Sequence, residues 1–176
     1  GFVDFTLEGN TERQQTEDLL DEQDRLMTEP WQAAEHPAAS KWLATLNAEQ
    51  TVKATFHYMD GERLFWYYPP MNRHGLALRD MDVYQRELAL ALMSTGLHAD
   101  ANQNAKSIIQ HELILGPLEK EEGAVTFVRD PELYYWTVFG DVGGEDPWGW
   151  RVEGHHLSLH FTIVDGEAVA SSPSFF

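Results

Sequence analysis

The sequence predicts an α+β domain with N-terminal helices, a β-hairpin, a helix pair, and then an antiparallel, β-rich C-terminal half. Three observations carry that prediction. Apolar residues in the first half recur at helical spacing, as at Met81, Tyr84, Leu88, Ala91 and Leu92. From residue 125 onward, short runs rich in aromatic and β-branched residues take over, punctuated by glycines. Helices first and strands afterwards indicate segregated layers rather than alternating βαβ units. The chain has 176 residues, 43% of them hydrophobic, which is enough for one domain with a real core. Residues 1–176 are read as a single domain, incomplete at the C-terminus. Phe175 and Phe176 would otherwise leave two aromatics on a free end, and Gly1 in place of methionine also fits a fragment.

Taken in order, residues 1–40 form an acidic helical extension. They hold ten acidic and two basic residues, and Leu19, Leu20, Leu26 and Met27 mark a helix over about 11–28. Pro30 and Pro37 bracket a connector. Trp42, Leu43 and Leu46 mark a second helix, and Asn47 with Gln50 three residues on predicts a capping box for a short third one. From Thr55 the period changes to two. Two alternating runs around Asp60-Gly61 predict a hairpin over 55–68, with Phe56, Tyr58, Arg63, Phe65 and Tyr67 on one face. Pro69-Pro70 ends it. Asp80 is a candidate N-cap for a helix that closes near Gly96, and a further helix runs from about 100 to 115 with Ala105, Ile108, Ile109 and Leu113 buried. Gly116-Pro117 stops that helix. Strands are predicted over 125–128, 132–139 and 148–153, followed by a hairpin about Asp165-Gly166 joining 157–164 to 167–170.

Charge and composition exclude several functions. Twelve basic against 29 acidic residues leave a formal charge of −17, which repels nucleic acid and anionic lipid. Cysteine is absent, so thiolate chemistry and disulfides are excluded. No apolar run reaches membrane-spanning length. Gly-x-Ser-x-Gly and phosphate-cradling glycine motifs are missing as well.

The chemistry-bearing residues concentrate in three places. One is the segment 146–160, with Trp148, Trp150, Arg151, Glu153, His155, His156 and His160. Histidine serves best as metal ligand or general base near neutral pH. On an extended strand His156 and His160 lie roughly 13 Å apart at about 3.3 Å per residue, and His155 points to the opposite face. That spacing disfavours a metal. If an ion is held, its candidate ligands are His155, His156 and Glu112, and no cofactor is otherwise specified. The Trp148 and Trp150 pair reads either as packing or as a stacking platform for a ring. The second place is Glu112, which falls on the buried stripe of its helix. A carboxylate there must be paired or carry a raised pKa. Pairing with Arg63, Arg73 or Arg151 is the structural reading, and metal ligand or general base the functional one. Third, Arg63 sits among aromatics, and Asn72-Arg73-His74-Gly75 follows the prolines. Arginines so placed either bind an anionic group bidentately or pair with the abundant carboxylates.

These residues also form a pattern. Glu62-Arg63, Trp66 and Pro69, the run 73–81 with Gln85, Arg129 to Tyr134, Phe139-Gly140, Pro147 to Arg151, and Glu153 to Leu159 together resemble a bacterial and fungal family, domain of unknown function 3500. The resemblance runs from about Trp42 to Phe176. Family members continue past the position of Phe176, which implies a fragment. Many look exported, so the resemblance makes an extracytoplasmic home the expectation. It carries over Arg63, Arg73, Asp80, Arg151, Glu153, His155 and His156 as candidates, whereas at His160 the family pattern has asparagine.

Two classes of function follow. The first is an enzyme on a small anionic or polar substrate, with His155, His156, Glu153 and Arg151 as catalytic candidates and Arg63, Arg73, Trp148 and Trp150 binding substrate. The alternative is a noncatalytic binding module that stacks ligands on Trp and Tyr, or an interaction domain of a larger protein. A small-molecule ligand is the expected partner, and the sequence leaves the oligomeric state open.

Overall fold

The computed structural model describes residues 32–123 and 127–175, with side chains from His36 onward. All lie within the compact unit Trp31–Phe176. The expected helix over 11–28 falls outside the described residues.

Element order follows from local chemistry. Helix α1 (Gln32–Leu43) carries Pro37 inside it, so the expected connector between the two prolines is instead helical. Helix α2 (Ala48–Ala54) starts at the expected capping box: Asn47 accepts from the Gln50 backbone N–H, and the Gln50 side chain returns the bond to the Asn47 N–H. Strand β1 is only Thr55–Phe56. A 3-10 turn (Gly61–Leu64), strand β2 (Leu76–Ala77) and a second 3-10 turn (Leu78–Asp80) follow. Helix α3 (Val83–Thr95) is capped by Asp82 with Gln85, not by Asp80, which forms an exposed ion pair with Lys53 at 3.2 Å. The buried face of α3 comprises Gln85, Leu88, Ala89, Leu92 and Met93, while Tyr84 is exposed.

Helix α4 (Ala99–Glu121) runs straight through Gly116-Pro117, the expected stop. Proline deletes one helical hydrogen bond, and a tertiary tie compensates: Glu119, two residues on, is gripped by Arg129 at 2.6 and 2.8 Å. Gly116 faces the Arg129 stem closely. Ala105, Ile109 and Glu112 are buried, but Leu113 is exposed.

Strands β3 (Tyr135–Phe139), β4 (Trp148–Gly154), β5 (Leu157–Val164) and β6 (Glu167–Phe175) complete the fold. The described strands form one mixed sheet in the order β1-β3-β4-β5-β6, with β2 pairing beside β1 on β3. Strand β1 runs parallel to β3 and the other pairs are antiparallel. Residues 127–128, expected as part of a strand, are not in one. The β5–β6 hairpin turns at Asp165-Gly166 as expected; both residues have positive φ, 53° and 79°, as a tight hairpin turn requires.

The register sorts the sheet into two unlike faces. Trp136, Val138, Trp148, Trp150, Val152, Leu157, Leu159, Phe161 and Ile163 join the helices in one apolar core. Each such large side chain contributes about 1.5–3 kcal/mol on burial. Trp150 and Phe161, opposite each other, stack at 4.2 Å, and the Trp136 indole donates to the Ala89 carbonyl at 2.8 Å. Their alternating neighbours Thr137, Arg151, Glu153 and Ser158 occupy the other face, yet these too are buried. What covers them is not a helix but the irregular segment 57–75. None of the described helices is long and apolar enough to cross a membrane.

Candidate functional site

The segment 57–75 alternates like a hairpin, but its carbonyls find a different partner. Arg63 donates to the Tyr58 carbonyl. Arg73 donates to the carbonyls of Met71, Tyr67, Pro69 and Gly154 at 2.7–3.1 Å. Arg151 reaches up from β4 to the carbonyls of Glu62 and Phe65 at 2.8 and 3.1 Å. Guanidinium forks thus take the place of a cross-strand ladder. The expected hairpin over 55–68 is therefore a strap, and Asp60-Gly61 opens a 3-10 turn in which Asp60 accepts from the Glu62 N–H. Because the strap is held by its backbone, much of its apolar surface faces outward. Leu64, Phe65, Trp66, Tyr67, Tyr68 and Met71 are all exposed.

Under the strap lies a buried charge network. Arg151, 1% exposed, donates to Glu62 Oε1 at 2.7 Å, and its Nε lies 3.6 Å from Glu153 Oε2. Arg73 Nε lies 3.8 Å from the same oxygen. Neither Nε has a hydrogen-bond partner. Glu153 Oε1 accepts from the Ser158 hydroxyl at 2.9 Å, with His160 Nε2 at 3.4 Å. Burial depresses the Arg73 pKa, and the Glu153 charge opposes that shift. Of the two expectations for Arg73 and Arg151, an anion clamp or pairing with carboxylates, the geometry places their terminal nitrogens on the strap carbonyls and Glu62. Arg63 lies over the Tyr58 ring at 4.3 Å.

A cavity of about 360 Å³ opens at the strap's edge, lined by Glu62, Glu153, Arg73, His74 and Asn72, with Phe65 and Tyr67 on its wall. His74 Nδ1 meets Glu62 Oε2 at 2.7 Å, and the imidazole is 71% exposed. Burial alone would raise the Glu62 carboxyl, but the hydrogen bonds from His74 and Arg151 outweigh it and hold it below its ordinary value. The chain Arg151–Glu62–His74 therefore fixes one imidazole nitrogen and leaves Nε2 on the outside. Gly75 makes this fit: its φ is +116°, and a Cβ there would stand 2.5 Å from Thr137 Oγ1. Asn72 is held by the Tyr135 hydroxyl at 3.3 Å. The sequence reading assigned no role to Glu62 or His74. The available signal was a carboxylate and an imidazole straddling a Pro-Pro corner that folds back on itself.

A second network stands apart in composition. His155 and His156 were expected on a strand; they form the two-residue turn between β4 and β5, with His156 at φ 57°. Glu112, 2% exposed, hydrogen-bonds His155 Nδ1, not Arg63, Arg73 or Arg151. Arg129 bridges His155 Nε2 at 2.9 Å to Glu119, and the Tyr134 hydroxyl donates to the His155 carbonyl at 2.8 Å. The Glu119 hydrogen bond raises the Arg129 pKa, and burial followed by the Glu112 charge raises that of Tyr134. The His156 ring lies against His155 at 3.9 Å, tilted by 48°, and burial lowers its pKa. The void beside Glu112 and His155 is about 10 Å³, room for one water at most. Among the described residues no three of His, Asp and Glu are grouped to hold a metal ion. Trp148 and Trp150 are 3% and 1% exposed in the core and offer no face to a ligand, so outward stacking falls to the strap, where Trp66 is 53% exposed.

Fold and site together define an α+β domain whose polar sheet face is sealed by an arginine-held strap beside a small cavity. The family model described as Protein of unknown function (DUF3500) matches residues 30–176, and the chain belongs to that family. No curated protein and no solved structure matches the chain.

Proposed function

We propose that the chain is an enzyme that takes a small polar molecule into the 360 Å³ cavity and moves a proton at His74. The observation that carries this reading is the Arg151–Glu62–His74 chain, whose Glu62 and His74 line the same cavity as buried Glu153. With neutral imidazole, Nδ1–H donates to Glu62, so Nε2 keeps its lone pair toward solvent. A carboxylate that orients the ring also stabilises the imidazolium formed when Nε2 accepts a proton. Glu153 stands ready as an acceptor for ligand N–H or O–H groups. The engaged arginines favour a neutral polar substrate over an anionic one, and a chain of charge −17 does the same. His155 and Glu112, beside a void too small for a substrate, act in this reading as a fold-holding pair.

A panel of chromogenic esters, amides and glycosides tests it. His74→Asn is expected to lower turnover of any substrate found by about a hundredfold or more while leaving the thermal midpoint unchanged. Equal turnover in the variant would overturn the reading. The exposed row from Phe65 to Tyr68 favours a second reading, a noncatalytic module that captures ligands by stacking. In that case ligand binding would survive His74→Asn and no turnover would accompany it.

A further inference from the structure

The wall and the floor of the cavity differ in kind, and that difference narrows what fits. Phe65 and Tyr67 lie 13° from parallel with centroids 6.2 Å apart, and each is about half exposed. That gap is too narrow for a ring to enter between them, because a sandwich needs about 3.5 Å on either side. The two rings therefore act as one apolar wall. Opposite them, Glu62, Glu153, Asn72, Arg73 and His74 supply five hydrogen-bonding side chains. Glu153 Oε2 has only the two arginine Nε groups nearby, at 3.6 and 3.8 Å, and hydrogen-bonds neither.

A ligand must satisfy both sides. A flat aromatic molecule would cover the wall and leave Glu153 Oε2, which accepts no hydrogen bond from either arginine Nε, without a donor from the ligand. A small anion would meet Glu62 and Glu153 at close range with no free guanidinium fork. A saturated ring that presents C–H bonds on its face and hydroxyls on its edge meets both demands, since each hydroxyl donates to a carboxylate and accepts from an N–H. The cavity is at the low end of the range for ligand sites, about 300 Å³ upward, which suits one or two such rings and not a long polymer.

Resting on the reading of this cavity as the ligand site, we propose that it binds a neutral carbohydrate, one ring packed against the apolar wall of Phe65 and Tyr67 and its hydroxyls bonded to Glu153 and Glu62. Calorimetric titration tests it, with maltose, cellobiose and xylobiose as neutral probes, glucose 6-phosphate as the anionic probe and p-nitrophenol as the aromatic one. At least one neutral disaccharide is expected to bind. Phe65→Ala/Tyr67→Ala should weaken it roughly tenfold, because both side chains face solvent and their loss leaves the strap's backbone bonds intact. Asn72→Ala is expected to weaken it as well. Binding of the phosphate or the phenol alone would overturn the carbohydrate assignment and leave the proposed site standing. Disaccharide binding untouched by both Phe65→Ala/Tyr67→Ala and Asn72→Ala would overturn it too, by placing the sugar elsewhere. If none of the probes binds to folded protein, the carbohydrate assignment fails; the His74 turnover test then judges the catalytic reading separately.

Discussion

Replacing Arg151 with methionine is expected to cost about 4 kcal/mol of folding stability. The side chain is 1% exposed and holds three acceptors on the strap within 3.1 Å, namely Glu62 Oε1 at 2.7 Å, the Glu62 carbonyl at 2.8 Å and the Phe65 carbonyl at 3.1 Å, with the His74 carbonyl more loosely held at 3.5 Å. It is also the nearer of two cations to Glu153 Oε2, at 3.6 Å against 3.8 Å for Arg73. Methionine preserves much of the volume, so the loss is electrostatic. Removing one partner of a buried pair costs about 3–5 kcal/mol, because the remaining charge stays desolvated. The two freed carbonyls add little, since a loosened strap turns them to water, where a hydrogen bond is worth only about 1 kcal/mol net. Against a total stability of about 5–15 kcal/mol the effect is large. Urea titration followed by tryptophan fluorescence reads it as a lower midpoint at unchanged slope. Adding Glu153→Gln removes the stranded charge and should restore about 1–3 kcal/mol relative to the single variant. A loss under about 1 kcal/mol for Arg151→Met, or simple additivity in the double variant, would refute the idea that the strap is held by buried charge.

Other consequences are more local. Gly154→Ala would place a Cβ 2.1 Å from the Tyr134 ring, whose hydroxyl is tied to the His155 carbonyl, so a loss of about 1–3 kcal/mol is expected in thermal unfolding. His156→Val should cost about 1–2 kcal/mol for the left-handed backbone at φ 57°, and His156→Gly should not. The Glu62 carboxyl is held below its unfolded value of 4.5, so its contribution is complete above pH 4.5 and is lost as pH falls through the folded value. Glu62→Gln should therefore flatten that acid limb in stability measured from neutral pH downward, and an unchanged limb would contradict the ion-pair geometry.

What the sequence revealed divides along the sheet's two faces. The apolar face was legible because Leu157, Leu159, Phe161 and Ile163 alternate cleanly and Asp165-Gly166 is a strong local turn signal. The Asn47–Gln50 capping box was legible for the same reason, a purely local bond. The polar face misled. Alternation around Asp60-Gly61 reads as a hairpin until one knows that Arg63, Arg73 and Arg151 take the carbonyls a ladder would need, and Arg151 is distant in sequence from the carbonyls it holds. Pro117 misled for a related reason, since the Arg129–Glu119 grip that carries the helix past it is tertiary. His155 and His156 were read as strand residues although Gly154 stands beside them, because the turn is made by a non-glycine residue that adopts φ 57° under the constraint of the β4–β5 register. Glu112 was rightly singled out as a buried carboxylate needing a partner, but its partner is His155, brought near by that turn. Glu62 and His74 went unassigned because the strap that joins them was itself misread.

The most direct test of the central claim is the tautomer of neutral His74, read from the imidazole nitrogen shifts of ¹⁵N-labelled protein at the alkaline end of a pH titration and assigned with His74→Asn. The account predicts a protonated Nδ1 facing Glu62 and an unprotonated Nε2, with the preference weakened in Glu62→Gln. A protonated Nε2 with a bare Nδ1, or a tautomer ratio indifferent to Glu62→Gln, would contradict it.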